Sequence, residues 1–133
     1  MAAGLQQWYA QKFGASISMV DVGGGIELEV ATAGNPANPL VVCYHGFPSA
    51  ACMLYKHQIR FLADLGYHVA VPCLRGFGHS SAPARVSDYS AIAVGKDIAG
   101  SVRLVASAMH IDTTVVMYIL QHSYHTMAIC CHG

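Results

Sequence analysis

The chain is predicted to fold as an α/β domain, a mostly parallel sheet with helices flanking it. Short apolar runs bounded by Gly, Pro and Asn alternate with longer stretches of helical periodicity, in the order hairpin, strand, helix, strand, helix, strand. The runs at 40–44 and 67–71 are apolar at nearly every position, as expected of strands buried on both faces. The chain has 133 residues, 54% of them hydrophobic and 11% charged, which suits one core and excludes a disordered chain.

Each element has its own signal. Residues 1–15 are expected to form an N-terminal helix or extension, with Leu5, Trp8, Tyr9 and Phe13 on one helical face. Residues 16–22 and 26–30 alternate in polarity around the Gly23-Gly24-Gly25 turn, which predicts a hairpin with one face toward water. A loop rich in Gly, Asn and Pro spans 33–39, and the first buried strand follows at 40–44. After His45-Gly46-Phe47-Pro48, a helix is expected to set Leu54, Phe61, Leu62 and Leu65 on one face and to stop at Gly66. The strand at 67–71 leads into a long Gly-, Ser- and Pro-rich loop. Asp88 or Ser90 then caps a second helix carrying Val94, Ile98, Val102, Val105 and Met109. Gly95 and Gly100 each weaken that helix by about 1 kcal/mol relative to Ala, a cost that close packing against the sheet would explain. Residues 113–120 complete the series as a buried strand.

Seven Lys and Arg balance seven Asp and Glu, so no global field draws the chain to nucleic acid. No apolar run approaches the roughly 20 residues of a membrane span. Met1 to Gln7 carries no basic side chain and no apolar core follows it, unlike a secretory leader. The five cysteines show no disulfide-framework spacing, which predicts reduced thiols and a cytoplasmic protein. A mean hydropathy of +0.42 is high for so small a domain, as though apolar surface were covered by something more.

The loops at the carboxyl ends of these strands are where an open α/β sheet binds ligands. They hold His45-Gly46-Phe47-Pro48, then Arg75-Gly76-Phe77-Gly78-His79-Ser80, and Gln121-His122-Ser123-Tyr124-His125. The first two, in that order and with Leu65-Gly66-Tyr67 between them, resemble the α/β-hydrolases of the epoxide hydrolase and haloalkane dehalogenase branch. The resemblance runs from about Met19 to Met117. It implies the N-terminal portion of an α/β-hydrolase fold over 16–120, expected to be incomplete, with a divergent tail at 121–133. It implies a hydrolase acting on a small epoxide or ester through a covalent ester intermediate, with no cofactor. By the same resemblance the Phe47 N–H serves the oxyanion hole, where losing one donor costs about 10²–10³ in rate. His45, Gly46 and Pro48 are expected to form the substrate side of that loop, Gly46 admitting close approach and Pro48 setting the turn. Arg75 is expected to brace loops. Cys73 stands where the family commonly has Asp, and His79 where Asp, Glu or Gln is frequent.

The family's nucleophile sits in a strained Gly-x-Asp-x-Gly or Gly-x-Ser-x-Gly turn after the strand matching 113–120. Ser123 is central in the corresponding stretch and is a weak candidate nucleophile, because Gln121 and His125 replace both glycines. The family's acid and general-base His lie downstream, so no complete triad is named. His122, His125, Cys130, Cys131 and His132 are ligand types for zinc, but their spacing does not reproduce a zinc motif, and no metal is expected. Fading of the resemblance near Met117 suggests a frameshift, a retained intron or an alternative last exon, hence a truncated product of little activity. The alternative is a non-catalytic short isoform that binds a partner, or itself, through an apolar edge strand at 113–120.

Overall fold

Helix α1 (Ala3–Phe13) leads into the hairpin of β1 (Ser16–Gly23) and β2 (Ile26–Ala33). Strand β3 (Leu40–Cys43) is followed by the short α2 (Ala51–Leu54), α3 (Lys56–Asp64) and β4 (His68–Pro72). A 3-10 turn (Val86–Tyr89), α4 (Ala91–Met109), β5 (Thr114–His122) and β6 (His125–Cys131) complete the order. This computed structural model describes residues 3–46, 51–109, 114–122 and 125–131, with backbone alone at 51–52, 106, 108–109, 114–122 and 125–131. The strands form one six-stranded sheet in the order β1-β2-β4-β3-β5-β6. Its centre is parallel, β3 pairing with β4 and with β5. The flanks are antiparallel: β1 on β2, β2 on β4, and β6 on β5.

Because strand side chains alternate, β3 feeds two cores at once. Val41 and Cys43 join Tyr9, Phe13, Tyr55, Ile59 and Val69 on the α1–α3 side of the sheet. Leu40, Val42 and Tyr44 join Leu28, Val30, Ala70 and Val105 on the α4 side. Every β3 residue is at most 2% exposed, which accounts for the uninterrupted apolar run.

Three expectations need correction. The hairpin does not keep one whole face in water: Tyr9 of α1 and the loop after β4 cover Glu29, which is buried as fully as Leu28 and Val30. The helical segment turns only part of the expected face inward, Leu54 and Leu62 packing against the core as expected. Tyr55 and Ile59 are buried and Leu62 packs against them, a spacing of four and three, while Phe61 and Leu65 are exposed. The third correction concerns the edge at 113–120. Strand β5 has β3 on one side and β6 on the other, with partners from Val116↔Cys131 to His122↔His125. The apolar segment at 126–131, expected to be part of a tail, satisfies the backbone groups that β5 would otherwise leave open.

Helix ends follow their signals. Gly66 has φ +90°, and the N–H groups of Gly66 and Tyr67 return to the carbonyls of Ala63 and Leu62 at 3.0 and 3.1 Å. This is the doubly bonded stop that favours glycine. Ser90 starts α4, its Oγ accepting from the Ala93 N–H at 3.3 Å. The two glycines of α4 divide. A Cβ on Gly100 would lie 2.7 Å from the Val22 carbonyl oxygen, so α4 packs on β1 only because that side chain is missing. A Cβ on Gly95 would meet nothing within 4 Å. Gly95→Ala should therefore raise unfolding free energy by about 0.5–1 kcal/mol and Gly100→Ala should lower it. Urea midpoints moving in the same direction for both would contradict this packing.

Candidate active site

The carboxyl ends of the adjacent parallel strands β3 and β4 bring two loops together. Tyr44, the last residue before the first loop, is clamped from both faces of the sheet. Its carbonyl accepts from the Tyr55 hydroxyl at 2.6 Å, and its own hydroxyl lies 2.6 Å from Ser101 Oγ on α4. The Ser101 proton goes to the Ile98 carbonyl at 2.9 Å. Burial pushes the Tyr55 hydroxyl well above its usual range, so it stays a donor at any ordinary pH.

His45 follows directly and is fully buried. Its Nε2 accepts from the Leu74 N–H at 3.0 Å, and its Nδ1 lies 3.0 Å from the Gly46 carbonyl oxygen. An Nε2 that accepts carries no proton, so the ring is neutral with its hydrogen on Nδ1, donated to Gly46. Burial supports that state by lowering the ring's pKa, against a smaller opposite effect of the Gly46 carbonyl. The ring also meets Phe77 edge-on, centroids 4.7 Å apart. One imidazole thus ties the loop after β3 to the loop after β4 and orients the Gly46 carbonyl. His45 and Gly46 lie in the loop that leaves β3. Phe47, Pro48 and Ser123 lie outside the described residues.

The loop after β4 is held at many points. The Cys73 N–H donates to the Glu29 carbonyl at 2.8 Å, and Ser80 Oγ bridges the Glu29 N–H and the Cys73 carbonyl. Gly76 and Gly78 take φ values of +82° and +56°. A Cβ on Gly76 would fall 2.9 Å from the Tyr89 ring, so a larger residue there is excluded twice over. Arg75 performs the bracing expected of it. Its Nε and Nη2 donate to the two Asp97 oxygens at 2.5 and 2.6 Å, and Nη1 donates to the Asp88 carbonyl. The loop, the 3-10 turn and α4 are thereby joined through one guanidinium, whose charged form the Asp97 hydrogen bonds favour most.

Sequence reasoning missed the group that organises the region around Cys73 and His79. The buried Glu29 carboxylate accepts from the Tyr9 hydroxyl at 2.7 Å and from the His79 N–H at 3.0 Å. It also lies 2.5 Å from His79 Nδ1 and 3.7 Å from Cys73 Sγ. A carboxylate from β2 therefore supplies acceptors beside Cys73, where the family commonly places an Asp. Glu29 looked solvent-facing because Glu27-Leu28-Glu29 alternates. The available signal was Tyr9 on the inward face of α1.

Beyond β5 the described backbone resumes as a strand, β6, paired antiparallel to it. Gln121 and His122 belong to β5 and His125 to β6, and among the described residues no helix follows β5. His122 and His125 face each other across the final pair of the hairpin instead of lying in a separate loop.

Residues 39–111, more than half of the chain, match the family model described as alpha/beta hydrolase fold. The chain belongs to the α/β-hydrolase fold family. Its N-terminal portion is of the epoxide-hydrolase-like branch. It is 43% identical over 76 residues to Epoxide hydrolase A of Mycobacterium tuberculosis, covering 57% of this chain and 23% of that protein. Epoxide hydrolase 1 of Siraitia grosvenorii is 41% identical over 76 residues, with the same coverage. Among solved structures, Epoxide Hydrolase A from Mycobacterium thermoresistibile superposes with a TM-score of 0.66 at 33% identity, over 78% of this chain and 31% of that one. A mutant Vigna radiata epoxide hydrolase gives 0.67 at 30% identity, over 78% and 30%. The chain therefore spans about a quarter of the length of the curated relatives it matches. For this α/β-hydrolase chain, no helix among the described residues is long and apolar enough to cross a membrane.

Proposed function

We propose that this chain supplies the oxyanion-loop portion of a cytoplasmic epoxide-hydrolase-like enzyme acting on a small epoxide or ester. In the proposed reaction a nucleophile attacks the substrate, the carbon–oxygen bond breaks, the leaving oxygen takes a proton from an acid outside the residues named, and a covalent ester forms. Water then hydrolyses the ester through a tetrahedral oxyanion, which the Phe47 N–H would stabilise. The observation that carries the reading is the neutral, buried His45 bridging Leu74 and Gly46, because it anchors this loop before substrate arrives. Catalysis needs no cofactor in this scheme. The residues named supply neither acid nor base, so the 133-residue chain by itself is expected to turn over little or no substrate.

The test is a chimera of the Mycobacterium tuberculosis relative in which residues 39–111 of this chain replace the matching segment. Hydrolysis of styrene oxide by a folded chimera is the expected result, with the isolated chain near background. A folded but inactive chimera would overturn the oxyanion role. Rapid turnover by the isolated chain that Ser123→Ala abolishes would overturn its expected inactivity and make Ser123 the nucleophile.

A second reading rests on the sheet order, which ends at β6. The outer side of that strand, and not 113–120, is where a partner or a second copy would add a strand. In this reading the chain is a non-catalytic binding module, and its mass by light scattering rises with concentration.

A further inference from the structure

The inward rotation of Ile59 and Leu62 leaves the other side of α3 unusual. Along it run two ridges, Lys56–Arg60–Asp64 and His57–Phe61–Leu65, each at four-residue spacing. Helix α1 lies alongside and adds Lys12 and Phe13, enclosing an open groove of about 510 Å³. Three of the seven Lys and Arg residues of the chain meet there, with Asp64 as the one acid in the lining. None of the three cations has an ion pair among the described residues, whereas Arg75 and Arg85 are both paired. Apolar side chains stand out beside them: Phe61 is 62% exposed, Leu65 60% and Trp8 41%. Trp8 stands one helical turn before Lys12 on α1, its ring 5.2 Å from that of Phe13, which lines the groove. Helix α1 precedes the family match at 39–111, so the groove pairs a family helix with one outside the matched region.

We propose that the α1–α3 face docks the protein on an anionic phospholipid surface. Lys12, Lys56 and Arg60 engage lipid phosphates and carboxylates, while Phe61, Leu65 and Trp8 enter the headgroup layer. Long basic side chains reach such headgroups while their stems cover apolar surface. The apolar residues decide between a bilayer and a free anion. A soluble phosphate would neutralise the cations yet leave Phe61 and Leu65 in water; a bilayer interface satisfies both. The contact is peripheral and needs no spanning helix.

Trp8 is the only tryptophan, so its fluorescence reports from the side chain in contact with Phe13 of the groove. The full chain is titrated with phosphatidylcholine vesicles containing either no phosphatidylserine or about one third, at low and high salt. The expected result is a blue shift and co-sedimentation with the anionic vesicles alone, weakened by salt. Each cation removed should weaken partition about fivefold, and Lys12→Gln/Lys56→Gln/Arg60→Gln together about 100-fold. Phe61→Ser should reduce the blue shift, while Lys96→Gln/Arg103→Gln on α4 should change neither signal. Equal binding to both vesicle types, or full binding by the triple variant with unchanged circular dichroism, would overturn the proposal. So would inorganic phosphate reproducing the Trp8 shift without vesicles, since the site would then be one for a free anion.

Discussion

Replacing Arg75 by Met is expected to lower the unfolding free energy by about 3–5 kcal/mol, the largest effect of any single substitution at the site. Asp97 is 3% exposed, and the guanidinium is its described ion-pair partner, reaching both carboxylate oxygens. Removing the cation leaves a buried charge unpaired and frees the Asp88 carbonyl that Nη1 held. Against a typical total of about 5–15 kcal/mol, much of the chain would be unfolded at 37 °C. The loss should come from the orphaned carboxylate more than from the missing attraction. Arg75→Met combined with Asp97→Leu should therefore be less destabilised than Arg75→Met alone, because neither charge remains to be desolvated. Urea unfolding of the two variants measures this. A double variant as unstable as the sum of both single changes would show that the pair acts independently, and the bracing account would fail. Arg85 is a useful contrast. It is exposed, its pair with Asp88 is one helical turn long, and its removal should be nearly neutral.

What was readable in advance followed from how far along the chain the cause of each feature lies. Strands β3 and β4 were legible because burial on both faces imposes an apolar run visible within five residues. The end of α3 was legible from Gly66, since a left-handed stop is a local demand. The inward face of α3 was misread at Phe61 and Leu65, which are exposed although apolar. The seam that packs uses Tyr55, whose hydroxyl is needed by Tyr44 eleven residues earlier. Glu29 was illegible for the same reason on a longer scale. Its partners lie 20 residues before it and 50 after it, and no local pattern distinguishes a buried carboxylate with four polar neighbours from a solvated one. At the candidate site the tetrapeptide at 45–48 announced a special loop, but the tautomer of His45 depends on the Leu74 amide 29 residues away. Strand β6 was missed because its His and Cys content suggested an irregular tail, although its alternation with apolar Met127 and Ile129 suits an antiparallel partner.

Between pH 7.5 and 5 the chain should lose stability steadily, with His45 carrying a definable share of the slope. Burial lowers the pKa of His45, and also that of His68, below the usual 6.5. The unfolded chain then binds protons that the folded chain refuses, so stability rises with pH across this window. The contribution is fully present above pH 6.5 and is lost as pH falls from there toward the lowered folded values. Each histidine can contribute at most about 1.4 kcal/mol per pH unit. Protonating His45 would convert Nε2 from acceptor to donor and set two N–H groups against each other at Leu74. His68 differs: its Nδ1 reaches the Gly34 carbonyl at 3.4 Å, but its buried Nε2 has no hydrogen-bond partner among the described residues. His45→Gln keeps an oxygen to accept from Leu74 and removes the titration, so its stability profile should be flatter than that of the parent. His45→Leu removes the acceptor too, and the orphaned amide should cost about 1–3 kcal/mol at every pH. His68→Leu should flatten the profile with little loss at pH 7.5, since it removes a polar atom that was already unpaired. Chemical denaturation of the parent and the three variants at half-unit pH steps separates these contributions. If His45→Gln retained the full parental slope, His45 would not be the neutral bridge between the two loops, and the proposed oxyanion role of the loop would lose its anchor.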